Sequence, residues 1–137
     1  MLKITVSLDN IDSVVSKLKE IIKKRDIVIL LQGTLASGKT TLVKNYVKSL
    51  GLKDTVTSPT FTLQSVYGDD IYHYDVYNKT LQEFVSLGLL EEFENHGIHF
   101  VEWGGDDLKS ILIDYGFDLI TVKIKKIEDK REYTIES

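Results

Sequence analysis

The strongest constraint on this chain is a junction. The apolar run Asp26-Ile27-Val28-Ile29-Leu30-Leu31-Gln32 leads directly into Gly33-Thr34-Leu35-Ala36-Ser37-Gly38-Lys39-Thr40, which fits the pattern G-x-x-x-x-G-K-[ST]. β-Branched residues crowd the run, so it reads as a parallel strand buried on both faces. Beyond the glycines, Leu42, Val43, Tyr46, Val47 and Leu50 recur at helical spacing, and Gly51 stands where a helix would stop. Strand, loop and helix in that order bring the loop amides to a helix N-terminus, where orphan N–H groups and the helix dipole favour an anion. Lys39 adds a positive charge and Thr40 a hydroxyl suited to a metal. The pattern therefore points to the phosphates of a nucleotide, with Mg²⁺.

Composition narrows the field. The 137 residues fit one domain, 1–137, with an α/β core. Without cysteine there is no disulfide framework, thiolate zinc site or sulfur nucleophile, and three scattered histidines do not suggest a metal cluster. The first ten residues lack the apolar core of a secretion signal, and Ile27 to Leu31 is too short to span a bilayer. The expectation is a cytoplasmic protein with no membrane partner. A net charge of −4 argues against bulk electrostatic binding of nucleic acid. The basic clusters Lys23-Lys24-Arg25 and Lys123 to Arg131 read as solvated faces, the second also protecting an exposed edge strand.

The rest of the chain alternates between the two periodicities. Leu2 to Ser7 reads as a strand, followed by a helix whose Ile11, Val14, Val15, Leu18 and Ile22 form one apolar face. Thr60 to Val66 and Ile71 to Tyr77 read as strands joined at Gly68-Asp69-Asp70. Leu81 to Glu94 reads as a helical stretch, Ile98 to Trp103 as a strand and Asp107 to Ile113 as a short helix. Phe117 to Ile127 and Glu132 to Ile135 close the chain as an antiparallel pair, the first alternating Ile120, Val122 and Ile124 with Thr121, Lys123 and Lys125. The expected architecture is three-layer α/β, resembling the P-loop NTPases: a mixed sheet flanked by helices, with an antiparallel C-terminal strand pair.

Phosphoryl chemistry needs an acid to hold the metal, commonly at the end of a strand beside the loop strand. Asp75 and Glu102 each end an apolar run, and either could bind Mg²⁺ directly, bind it through water, or orient an attacking water. Val56-Thr57-Ser58-Pro59-Thr60-Phe61-Thr62-Leu63 sets hydroxyls around the chain's one proline, downstream of the loop helix, where a nucleotide-sensing switch would lie. On chemistry alone it could equally be a turn into a strand.

Taken in order, the loop, Thr57-Ser58-Pro59-Thr60-Phe61-Thr62-Leu63, Tyr72-His73-Tyr74-Asp75-Val76-Tyr77 and Val101-Glu102-Trp103 resemble the TsaE (YjeE) family of small bacterial ATPases. The likeness runs from Gly33 to Trp103, and the Ser-Pro-Thr-Phe-Thr-Leu and His-Tyr-Asp-x-Tyr segments are far more specific than the loop. The resemblance implies an ATP- and Mg²⁺-dependent part in making N6-threonylcarbamoyladenosine at position 37 of tRNAs that read codons beginning with A. It implies weak ATP hydrolysis alone and action with the TsaD and TsaB proteins, TsaD carrying the group transfer, with tRNA met indirectly through that complex. Lys39 would contact the β- and γ-phosphates, within a nucleotide set of Gly33, Ala36, Ser37, Gly38, Lys39, Thr40, Thr41, Trp103 and Arg131. Thr40 and Glu102 would hold Mg²⁺, Asp75 would support the metal-bound water or the hydrolytic step, and Thr60 would lie near the γ-phosphate.

The chain departs from that family at Thr34, Ala36 and Ser37 in the loop, at Asn78 where an arginine commonly stands, and at Gly105 in place of an acid. Two further readings share the loop. A small-molecule kinase would ordinarily carry an arginine-rich lid, whereas the two arginines here, Arg25 and Arg131, are far from the loop in sequence. A GTPase would want aspartate where Leu81 follows Asn78-Lys79-Thr80. A non-catalytic nucleotide-sensing module stays open, because weak ATPases and sensors look alike in sequence.

Overall fold

A computed structural model of the chain describes residues 1–23, 26–34, 38–56, 64–77 and 79–137. In chain order its elements are β1 (Leu2–Ser7), a 3₁₀ turn (Leu8–Asn10), α1 (Ile11–Ile22), β2 (Ile27–Gln32), α2 (Lys39–Ser49), β3 (Gln64–Tyr67) and β4 (Ile71–Asp75). There follow α3 (Leu81–Ser86), α4 (Leu89–Glu92), β5 (Ile98–Glu102), α5 (Asp106–Asp114), β6 (Leu119–Ile127) and β7 (Lys130–Glu136). The strands form one sheet in the order β1-β7-β6-β2-β5-β4-β3.

The apolar run before the glycines takes the centre of that sheet. β2 pairs in parallel with β5 on one side and β6 on the other, and β4 continues the parallel block beyond β5. Ile27 to Leu31 are all buried, as a strand covered on both faces requires. Ile27, Ile29 and Leu31 face α1 and α2, where Val14, Leu18, Leu42, Val43 and Phe100 complete one core. Val28 and Leu30 face α3, α4 and α5, where Phe84, Phe93, Leu108 and Leu112 complete the other. Each fully buried Leu or Ile in these layers contributes roughly 1.5–3 kcal/mol of transfer free energy. The α1 stripe of Ile11, Val14, Val15, Leu18 and Ile22 is buried as its spacing predicts.

Several boundaries differ from the sequence expectation for identifiable reasons. The helical stretch Leu81 to Glu94 is two helices: a capping box between Thr80 and Glu83 starts α3, and Gly88, at φ +74°, separates it from α4. β5 ends at Glu102 because Trp103 turns to φ +70°. β4 ends at Asp75, whose Oδ1 accepts the Tyr77 amide at 3.0 Å and turns the chain. Of the expected strand Thr60 to Val66, residues 60–63 lie outside the described residues. The antiparallel C-terminal pair of β6 and β7 gains a third strand, since β1 pairs with β7 from Leu2↔Ile135 to Ser7↔Lys130. β6 is therefore interior, and its lysines do not guard an edge. Lys123 and Lys125 alternate with the buried Val122 and Ile124, so they occupy the opposite face of the sheet.

Between β4 and β5 lies a buried imidazole. His99 Nε2 donates to the Asn95 carbonyl at 2.8 Å, which leaves Nδ1 to accept from the Tyr74 hydroxyl at 2.7 Å, and the ring stacks on Tyr72. Burial lowers its pKa from the ordinary 6.5, outweighing the Asn95 bond and the charges of Asp26 and Glu92. The unfolded chain thus takes up this proton first, so stability rises with pH between the lowered folded value and about 6.5. Urea unfolding at steps between about pH 5 and pH 7.5 should show stability falling on the acid side, and His99→Phe should flatten that part of the curve. Exposed His96 shifts upward beside Asp26 and acts in the opposite sense, so comparison with the substituted protein isolates the His99 contribution.

Candidate functional site

The alternation of the strands decides which acids meet the loop. In β5, Ile98 and Phe100 belong to the core facing α2, so Glu102 falls on that face, and in β4 the same parity carries Ile71, His73 and Asp75 there. The parallel register then sets Asp75 beside Glu102 and Glu102 beside Leu31, at the end of the sheet where β2 opens into the glycine loop. Both carboxylates are buried. Glu102 is on the strand adjoining β2, and Asp75 one strand further out.

α2 meets them from the other side. It begins after Gly38, in the left-handed region at φ +110°, and no side chain caps its first turn, which contains no acid. First-turn amides in that setting favour an anion. Thr40, in that turn, donates its hydroxyl to Glu102 at 2.8 Å to Oε2 and 3.0 Å to Oε1. Lys39 is 5% exposed and donates to the Gly33 and Thr34 carbonyls, both at 2.9 Å. Its ammonium lies 3.9 Å from the centre of the Trp103 ring. Burial lowers the Lys39 pKa from its ordinary value, while Glu102 and Asp75 pull it back up, so both carboxylates lie within the field of the lysine. Trp103 is held by its amide on the Leu31 carbonyl at 3.1 Å and by Tyr77, whose ring is 4.8 Å away.

The structure therefore brings Lys39, Thr40, Glu102 and Trp103 together, with Asp75 alongside. Thr41 follows in the same helical turn, and Gly33 supplies a carbonyl to Lys39. Arg131 arrives from the far end of the chain: β6 continues past Lys123, the partner of Gln32, to Ile127, and β7 returns beside it. A β-carbon placed on Gly38 would lie 4.0 Å from Arg131 Nε, so the guanidinium borders the loop. Ala36, Ser37, Thr60, the rest of the 57–63 segment and Asn78 lie outside the described residues.

Sequence reasoning missed two members of this constellation. His73, completely buried, is 2.5 Å through Nε2 from Glu102 Oε2, and its Nδ1 is 2.9 Å from the Tyr67 hydroxyl. The motif containing His73 was in view, and alternation alone places it on the face of Asp75. Its pairing with Glu102 depends on strand register. Gln32 was also missed: its side-chain amide donates to the Gly104 carbonyl at 2.9 Å and ties the end of β2 to the turn after Trp103.

Among the described residues no group of three or more His, Cys, Asp or Glu could hold a metal by itself. The donors that do converge, one hydroxyl and nearby carboxylates, are hard oxygens of few ligands, the set Mg²⁺ takes when phosphate oxygens and water complete its shell. The residues fit that ion.

A mixed sheet with a parallel central block, the glycine loop at the end of its central strand, helices on both faces and an acid on the adjoining strand defines a phosphate-loop α/β protein. A crystal structure of Bacillus subtilis YdiB aligns with a TM-score of 0.68 and 30% identity, covering 98% of this chain and 83% of that one. A family model described as "Threonylcarbamoyl adenosine biosynthesis protein TsaE" matches residues 5–133. Relatives named tRNA threonylcarbamoyladenosine biosynthesis protein TsaE include that of Treponema pallidum, 38% identical over 79% of this chain and 80% of its own length. The one from Bacillus subtilis is 40% identical over 65% of this chain and 58% of its own length, and the one from Rickettsia prowazekii 36% identical over 80% and 76%. The chain belongs to the TsaE family, whose name places it in threonylcarbamoyladenosine biosynthesis. Among the described residues no helix is long and apolar enough to cross a membrane.

Proposed function

We propose that the chain binds ATP with Mg²⁺ and hydrolyses it to ADP and phosphate in support of TsaD and TsaB proteins forming N6-threonylcarbamoyladenosine on tRNA. The observation that carries this reading is the convergence of Lys39 and Thr40, from one turn of α2, with Glu102 from the strand beside the loop. Loop carbonyls and the Trp103 face hold the Lys39 ammonium at the mouth of the loop, where it meets the β- and γ-phosphates. Thr40 and Glu102 would hold the metal. Bound Mg²⁺ would neutralise charge gathering on the phosphate oxygens during transfer. Asp75, beside Glu102 and facing the same side, orients the attacking water or supports the metal through water. Arg131 adds positive charge beside Gly38, Trp103 borders the nucleotide, and Thr60 belongs to the segment that senses the γ-phosphate.

Such a site supplies a partner's cycle: with two arginines, the chain lacks the arginine-rich lid a small-molecule kinase would ordinarily carry. Steady-state ATP turnover, measured alone and after adding TsaD and TsaB, should be low in the first case and rise in the second. An unchanged rate with both partners present would count against this reading.

A further inference from the structure

Four side chains run in line across the site. Tyr67 on β3 reaches His73 on β4, His73 reaches Glu102 on β5, and Glu102 accepts from Thr40 on α2. The register makes this possible: His73 pairs with Phe100 and Tyr67 with Ile71, so each contact is a diagonal one between adjacent strands on one face, within reach of long side chains. We infer that His73 is a positioning residue that holds the Glu102 carboxylate in its metal-binding orientation, with the Tyr67 hydroxyl, bonded to the other ring nitrogen, holding the imidazole in place. This rests on the reading of Thr40 and Glu102 as the metal ligands.

Two features separate His73 from an ordinary core histidine. The first is the nature of its partners. His99, equally buried, spends Nε2 on a main-chain carbonyl and bonds no carboxylate, whereas His73 spends Nε2 on the carboxylate of the site. The second is what Glu102 would lose. A carboxylate at a strand end has two further torsions beyond its first, and a donor fixed in the core removes that freedom before the metal arrives. A carboxylate oxygen accepts, so the Nε2 hydrogen points at Glu102, while Nδ1 meets the Tyr67 hydroxyl, which can donate or accept. A hydrogen-bonded outer partner of this kind commonly changes metal affinity by about 10- to 100-fold.

The test follows nucleotide and metal binding in the full chain. Binding of a fluorescent ADP analogue is titrated with Mg²⁺, and again in EDTA, for wild type, His73→Leu, His73→Gln and Tyr67→Phe, with thermal melts to confirm folding. His73→Leu should raise the Mg²⁺ concentration for half-effect by roughly 10-fold or more while leaving binding in EDTA as in wild type. His73→Gln, whose amide extends a donor from the same position, should recover most of that loss, and Tyr67→Phe should fall between. A folded His73→Leu or Tyr67→Phe protein with the wild-type Mg²⁺ response would overturn the inference and leave the nucleotide site standing. Wild type that binds the analogue identically with Mg²⁺ and in EDTA, or in neither, would sink the metal-site reading and this inference with it.

Discussion

Replacing Lys39 with alanine is expected to slow ATP hydrolysis by about 100-fold or more while the protein stays folded. The lysine is the cation that the loop aims: two loop carbonyls and the Trp103 ring fix its ammonium, and burial has already removed most of its water. A charge held that way would meet the γ-phosphate of the proposed ATP with little reorganisation, which is where electrostatic stabilisation of a transition state is most effective. Lys39 packs no core layer, so its loss should leave the melting temperature nearly unchanged. The chain's single tryptophan supplies an independent readout, because Lys39 lies against its face. Nucleotide binding should change Trp103 emission in wild type, and Lys39→Ala should shift the starting emission and blunt the response. Phosphate release in single turnover at the wild-type rate by the alanine protein would remove Lys39 from the chemistry.

The parts of this site legible in sequence are those built from neighbours along the chain. Strand, glycine loop and helix form one contiguous segment, and Lys39 and Thr40 follow from it. Asp75 and Glu102 were legible as acids closing apolar runs, but two acids at two strand ends cannot be ranked without strand order. The sheet separates them by position, since β5 adjoins β2 and β4 does not. The Tyr67–His73 contact spans a short hairpin, but the His73–Glu102 contact depends on the register of β4 with β5, which residues 76–97 separate, and no local pattern encodes that. The same holds for β1, whose alternation announces a strand while its partner, β7, lies at the opposite end of the chain. Arg131 shows the limit from the other side. It was included in the nucleotide set from family resemblance alone, and its place beside Gly38 has as its physical cause a hairpin that overruns the end of β2.

The largest loss of stability is expected at a glycine far from the chemistry. Gly97 sits at φ +132°, and a β-carbon built there would lie 2.1 Å from the Asp70 carbonyl oxygen and 2.9 Å from its carbon. That carbonyl accepts the Ile98 amide at 2.9 Å, while Gly97 itself donates to Asp26 and accepts from Ile27. The close approach thus begins the β4–β5 ladder, whose far end sets Asp75 beside Glu102. A methyl group cannot be accommodated by rotating a side chain, because the obstacle is main chain. Gly97→Ala should cost about 3 kcal/mol, a drop in melting temperature on the order of 10 °C. Gly51→Ala supplies the control: its φ is +78°, yet nothing lies within 4 Å of the added carbon. It should lose only the backbone strain of a left-handed residue, about 1 kcal/mol. Equal melting temperatures for the two variants would mean that strand separation at Gly97 costs nothing, and that the spacing of β4 and β5 is not what holds the two carboxylates together.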